Sequence, residues 1–183
     1  MGGSDEEFGD FMRGRWPAMV RLAYALSGDA GHAEDIAQAA FARAYAAWGR
    51  VSRAGDPDAY VRRIVINENR KRFRKHRVPE DLHADLAGTE LSGRPRVSQH
   101  GQQQGPEERQ ALLDALGRLG PRQRAVIVLR YWLDLSEAET AAALNCSVGT
   151  VKSQASRGLA TLRKSAAMGD GAHDDDIVEG GRR

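Results

Sequence analysis

Apolar residues return every three or four positions through "AEDIAQAAFARAYAAW", which predicts a helix burying Ile36, Ala37, Ala40, Phe41, Ala44, Tyr45 and Trp48 on one face. The opposite face carries Asp35, Gln38, Ala39, Ala42 and Ala46, where a solvated face would carry Lys and Glu. Small residues let a second helix approach closely, so this face reads as a docking surface. Alanine is also the best helix former, and spacing alone leaves both readings open. A second helix follows in "DAYVRRIVINENRKRFRK", with Tyr60, Val61, Ile64 and Val65 inward. At 100° per residue, Arg63, Asn67, Arg70 and Arg74 line another of its faces.

Further along, Leu112, Leu113, Leu116 and Leu119 form a helical stripe after Pro106 and before the stop at Gly120. Pro121 suits the first turn of the next helix, whose "AVIVLRYW" is apolar enough to be mostly buried. Ser136 with Glu139 predicts a capping box, and that helix ends near Leu144. "NCS" makes a turn, and Ser147 caps one more helix with Val151, Ala155, Leu159 and Leu162 inside. Its outer face holds Gly149, Ser153, Arg157 and Lys164, flanked by Thr150, Lys152 and Ser156. No run of alternating β-branched residues is long enough to predict a strand.

The fold class is therefore all-α, two small helical domains joined by a flexible linker. The first spans residues 5–77 and the second 107–165. Between them, 78–106 mix Pro, Gly, Gln and His without period, and 166–183 form a Gly- and Asp-rich acidic tail expected to be disordered.

Charge sharpens the picture. Lys+Arg outnumber Asp+Glu by 9 to 3 over 51–77 and by 9 to 6 over 107–164, whereas the flanking segments are acidic, so two basic zones face polyanions. Three guanidinium groups on one stripe repel one another unless a polyanion neutralises them, although a merely basic surface helix would look the same. Asn67 adds a paired donor and acceptor able to read a base edge. Two short helices joined by a tight turn, the second small and polar at its N-terminal half, describe a helix-turn-helix fit for a major groove.

The remaining chemistry is sparse. Cys146 is the single cysteine, and the five histidines have no metal-ligand spacing. Neither a nucleophile–base pair nor a phosphate loop is present, so no enzyme, cofactor or metal is expected. The acidic start lacks the apolar core of a signal peptide, and no apolar run approaches a membrane span, so the expected location is cytoplasmic.

Two blocks carry a family resemblance. "LSEAETAAALNCSVGTVKSQASRGLATLRK" resembles the fourth domain of extracytoplasmic-function sigma factors, the initiation subunits of bacterial RNA polymerase. "GDAGHAEDIAQAAFARAYAAW" and "PDAYVRRIVINENRKRFRKHR" resemble their second domain. The similarity covers roughly 8–165, in the family's order, and its tenor is that of the SigE-like actinobacterial type.

The resemblance implies a division of labour. The second domain would grip the clamp coiled coil of core polymerase through Asp35, Gln38, Ala39, Ala42 and Arg43. It would also capture and open the −10 element through Arg63, Asn67, Arg70 and Arg74. The fourth domain would read the −35 element with Thr150, Lys152, Ser153, Ser156 and Arg157 and reach the polymerase flap. The linker would thread toward the active-site and RNA-exit region, and an anti-sigma factor is a further candidate partner. Ala39 stands where many members carry Glu, and Gln154 where many carry Arg. The rival readings are an autonomous helix-turn-helix regulator and a sigma-like decoy that titrates an anti-sigma protein.

Overall fold

In a computed structural model, described for residues 2–75 and 105–170, the chain is built of helices, with no strand among the described residues. The first domain comprises α1 (Gly2–Ser27), α2 (Ala30–Ala46), a short α3 (Trp48–Val51) and α4 (Pro57–Lys75). The second comprises α5 (Pro106–Gly117), α6 (Pro121–Ile127), α7 (Glu137–Leu144) and α8 (Val148–Asp170). The expected linker lies outside the described residues up to Gly105. Helix α8 continues past residue 166, where the sequence reading starts the tail; the chain beyond Asp170 lies outside the description.

The first domain is a helical bundle in which α1 packs along α2 and α4. Sequence periodicity left α1 unread as an element, yet it supplies Phe8, Met19, Leu22, Ala23, Ala25 and Leu26 to the core. Phe8 and Phe11 meet Phe41 and Trp48 edge-on or tilted, with ring centroids 5.0–6.5 Å apart, an arrangement worth about 1 kcal/mol per pair beyond area burial.

Chain reversal from α1 to α2 needs Gly28 at φ +71°, after which Asp29 caps α2 by accepting from the His32 amide at 2.9 Å. Asp56 caps α4 by accepting from the Ala59 amide at 2.9 Å, with Pro57 at the first helical position.

Tyr45 departs from its expected inward position. It is 52 % exposed, with its ring tilted against Phe8 and its hydroxyl donating to Asp5 at 3.1 Å. The N-terminal turns of α1 provide this seat on the flank of α2, so the residue joins the rim instead of the core. The Asp5 carboxylate, chiefly by accepting that hydrogen bond, holds the phenol above its ordinary pKa.

In the second domain the capping box is present as expected: Ser136 accepts from the Glu139 amide, and Glu139 accepts from the Ser136 amide. Asn145 ends α7 in the left-handed region at φ 53°, and Ser147 accepts from the Thr150 amide to start α8. Val126 of α6 joins Ala141 of α7 and Val151 of α8 in a small apolar cluster, with Leu144, Cys146 and Ala155 against it. Burial pushes the Cys146 thiol up, as suits a packed, unreactive residue.

"AVIVLRYW" is buried only through Leu129. The helix widens to a π-type turn over Val128–Trp132, and Tyr131 emerges 50 % exposed.

The two domains share one apolar cluster. Leu22, Ala25 and Leu26 of α1 belong to the same core as Leu113, Leu116 and Leu119, with α1 touching both α5 and α6.

Candidate polymerase and promoter surfaces

Helix α2 presents Asp35, Gln38 and Ala42 to solvent, with Ala39 half-buried beside them. Between this face and α1 runs an apolar groove of about 280 Å³ lined by Phe8, Met12, Trp16, Gln38, Phe41, Ala42 and Tyr45. Its floor is aromatic and its rim short, so a helix from another chain could lie close. Arg43 is placed differently from its neighbours. Its guanidinium pairs with Glu68 on α4, which also takes Lys71 at 3.1 Å. Glu68 thus ties α2 to α4, a link invisible to single-helix spacing.

On α4, Arg63 and Asn67 are half-buried, and Arg70 donates to the Ala143 carbonyl of α7 at 3.3 Å. Arg74 belongs to the same helix, but its side chain lies outside the described residues. Sequence reading passed over Arg62, which is buried at 7 % exposure and pairs with Asp58. Asp58 in turn lies 3.5 Å from Arg15 on α1. The i,i+4 spacing of Asp58 and Arg62 was the available signal. Part of the charge on α4 therefore holds the bundle together, while Arg63 and Asn67 belong to its partly open face.

Helix α8 brings most of its predicted residues together in the open. Lys152, Ser153, Ser156 and Arg157 are exposed, and Thr150 is half-buried with its hydroxyl 2.9 Å from that of Ser147. Ser153 donates to the Thr150 carbonyl at 3.0 Å, and Lys152 lies 3.6 Å from Glu137. Gly149 adds no bulk at the leading end. A shallow depression of about 340 Å³ beside this face is lined by Tyr131, Glu137, Lys152, Ser156 and Arg163, among others. Tyr131 and Arg163 were not singled out from the sequence; an aromatic inside an apolar run gives no sign that it will surface.

Gly158 was also missed. It is buried, and a Cβ there would stand 2.9 Å from Ile127 Cγ1, so α8 and α6 are in contact at a point that only glycine allows. The chemistry on offer is that of recognition: hydroxyls, ammonium and guanidinium groups on a rigid, capped helix. Among the described residues no group of His, Cys, Asp or Glu could hold a metal ion, and no helix is long and apolar enough to cross a membrane.

Comparison with known proteins assigns both halves. Residues 15–78 match the model for Sigma-70 region 2, and residues 109–162 match Sigma-70, region 4. The chain is 37 % identical to the RNA polymerase sigma-E factor of Streptomyces coelicolor over 164 residues, covering 90 % of this chain and 88 % of that protein. It is 33 % identical over 170 residues to the ECF RNA polymerase sigma factor SigW of Bacillus subtilis, covering 88 % and 90 %.

Among solved structures, the sigma factor RpoE in complex with the anti-sigma factor NepR from Bartonella quintana has a similar fold. The TM-score is 0.56 at 24 % identity, over 87 % of this chain and 96 % of that one. CnrH in complex with the cytosolic domain of CnrY gives 0.50 at 23 %, over 90 % of each chain. With both regions matched in order and nearly the whole chain aligned, the protein belongs to the extracytoplasmic-function family of RNA polymerase sigma factors.

Proposed function

We propose that this chain binds core RNA polymerase and directs promoter-specific initiation, with α8 reading the −35 element and α4 capturing and opening the −10 element. The observation that carries the reading is the outer face of α8. Short hydroxyl side chains with Lys152 and Arg157 stand exposed on a helix capped by Ser147 and seated on α6 and α7. Such a face enters a major groove about 12 Å wide without steric conflict. The aromatic groove beside Gln38 and Ala42 supports α2 as the polymerase-docking helix, with Asp35 on its rim. Arg63 and Asn67 on α4 supply one phosphate contact and one base-reading amide. The two solved structures of similar fold hold anti-sigma proteins or domains, which supports an anti-sigma factor as a partner here as well.

Promoter binding with and without core polymerase tests the reading. Specific binding should require the core, whereas an autonomous regulator would bind alone and a decoy would bind in neither case. Ala42→Lys should weaken core binding about tenfold, or about 1.4 kcal/mol, while leaving helicity unchanged, because Ala42 is exposed in the free chain. Undiminished pull-down of core by this variant would dismiss α2 as the docking helix.

A further inference from the structure

The exposed side of α8 carries charge that the described residues leave unmatched. Arg157, Arg163 and Lys164 are exposed and make no ion pair among the described residues, whereas Lys152 lies 3.6 Å from Glu137. In the depression of about 340 Å³ beside this helix, Ala155, Leu159 and Tyr131 supply apolar surface, and Lys152, Glu137 and Arg163 supply charge. Glu137 offsets Lys152 at one end, so the positive end is that of Arg163, toward the C-terminus of α8. Apolar surface with a cationic end is a seat for a short peptide that is acidic first and aliphatic next.

The chain carries such a peptide directly after α8. Residues 171–183 read GAHDDDIVEGGRR, in which Asp174, Asp175 and Asp176 are followed by Ile177, Val178 and Glu179. Reach and order both fit. At about 1.5 Å per helical residue, Arg163 lies ~10 Å back from Asp170, Leu159 ~16 Å, Ala155 ~22 Å and Lys152 ~27 Å. A chain doubling back covers at most about 3.3 Å per residue. The three aspartates therefore reach ~13–20 Å, Ile177 and Val178 ~23–26 Å, and Glu179 ~30 Å. Acid comes level with Arg163, the aliphatic pair with Leu159 and Ala155, and Glu179 with Lys152. Arg182 and Arg183 follow only after two further glycines, past the end of the seat.

We propose that residues 171–183 dock in this depression of their own chain and compete with promoter DNA for α8. The proposal rests on the reading of α8 as the −35 helix. The aspartates meet Arg163 and Lys164, and Ile177 and Val178 cover Leu159 and Ala155. Carboxylates answer the same cations as phosphates, so the tail and a duplex exclude one another. Ion pairs at such an exposed surface are weak and screened by salt, which keeps the tail displaceable. A competitor of this kind lowers apparent affinity by the fraction of chains left open, and by the same factor for every DNA.

Two full-length variants test this: Ile177→Ser with Val178→Ser, which changes no charge, and Asp174→Asn with Asp175→Asn and Asp176→Asn. Amide NMR of the free chain should show both variants shifting Ala155, Leu159 and Arg163 while the first domain stays in place. Holoenzyme carrying either variant should bind promoter several-fold tighter, and matched and mismatched −35 elements should gain by the same factor. No amide shift on α8 in either variant overturns the docking. That holds even if the Asn variant binds DNA more tightly, since losing negative charge alone would do so. Amide shifts without a gain in affinity overturn the competition. Wild-type α8 shifts that vary with protein concentration place the tail on a second copy and overturn docking within one chain. If Lys152→Ala and Arg157→Ala holoenzymes bind promoter as wild type does, the role assigned to α8 fails, while the amide shifts still decide the docking.

Discussion

Helices α4 and α8 both carry cationic and amide or hydroxyl groups, yet the fold treats them differently. On α8 Lys152, Ser153, Ser156 and Arg157 are exposed, Lys152 lies near Glu137 on another helix, and the helix is anchored by its opposite side through Val151 and Gly158. On α4 the charge is shared with the protein: Arg62 is buried against Asp58, Glu68 binds Arg43 and Lys71, and Arg70 reaches α7. A duplex groove can be read by a preformed surface, so an exposed rigid helix suffices. If α4 captures an unstacked base, as proposed above, Asn67 would meet it from a half-buried position on this helix. The contrast is between a helix that is exposed and anchored from behind and one whose charge is partly engaged by its neighbours.

The largest effect should come from removing the anchor of α8. Gly158→Leu drives a side chain into Ile127, which cannot yield because its Cγ1 lies near the backbone. A loss of about 3 kcal/mol in stability is expected, and −35 binding should vanish with it. Thermal melting beside a −35 binding assay checks both. A stable variant with normal binding would show that α8 is not held there.

Next come substitutions that leave the anchor alone. Lys152→Ala and Arg157→Ala should each cost holoenzyme about 1–3 kcal/mol in promoter affinity with melting unchanged, because both side chains are exposed. A base contact should relax preference at one position, whereas a phosphate contact should lower affinity uniformly and flatten the salt dependence. A panel of −35 substitutions titrated at two salt concentrations separates these outcomes. Full affinity for both variants would move the reading face elsewhere.

How much of this was legible follows from the range of each interaction. The helix-turn-helix is specified by neighbours: Ser136 with Glu139, Asn145 at the turn and Ser147 with Thr150 all act within three or four residues. The inner face of α2 was readable too, except for Tyr45, whose partners Asp5 and Phe8 lie about forty residues earlier in the chain. Arg124 looked like one more arginine in a basic zone, because its four acceptors are backbone oxygens that no residue identity announces. Gly158 and Gly28 were silent for a related reason, since close approach belongs to the pair of surfaces and not to the glycine.

Asn67 gives a smaller effect that bears directly on the contrast. Asn67→Ala removes no charge, so the salt dependence of promoter binding should stay as it is. Discrimination at one −10 base should fall by about 1–2 kcal/mol, and strand opening should decline with it. Permanganate footprinting of the −10 region, run beside a melting curve, reports both. If only the melting temperature changes, Asn67 acts as a structural amide and α4 loses its reading role.

The smallest effect concerns the scaffold of α8 and is read through pH. Hydrogen bonds from Ser136, its hydroxyl foremost, hold the Glu139 carboxyl below its ordinary pKa in the folded chain. A depressed carboxylate means that the unfolded state binds the proton more readily. The contribution is therefore complete above the ordinary carboxylate range and is lost as pH falls through the folded value. Ser136→Ala removes the cap at a cost of about 1 kcal/mol near neutrality. The difference between variant and wild type should shrink on acidification, since protonated Glu139 no longer gains from its partner. Denaturant melts of the full chain at neutral and acidic pH measure that difference. A gap independent of pH would assign the whole effect to the Ser136 hydroxyl and none to the charge of Glu139.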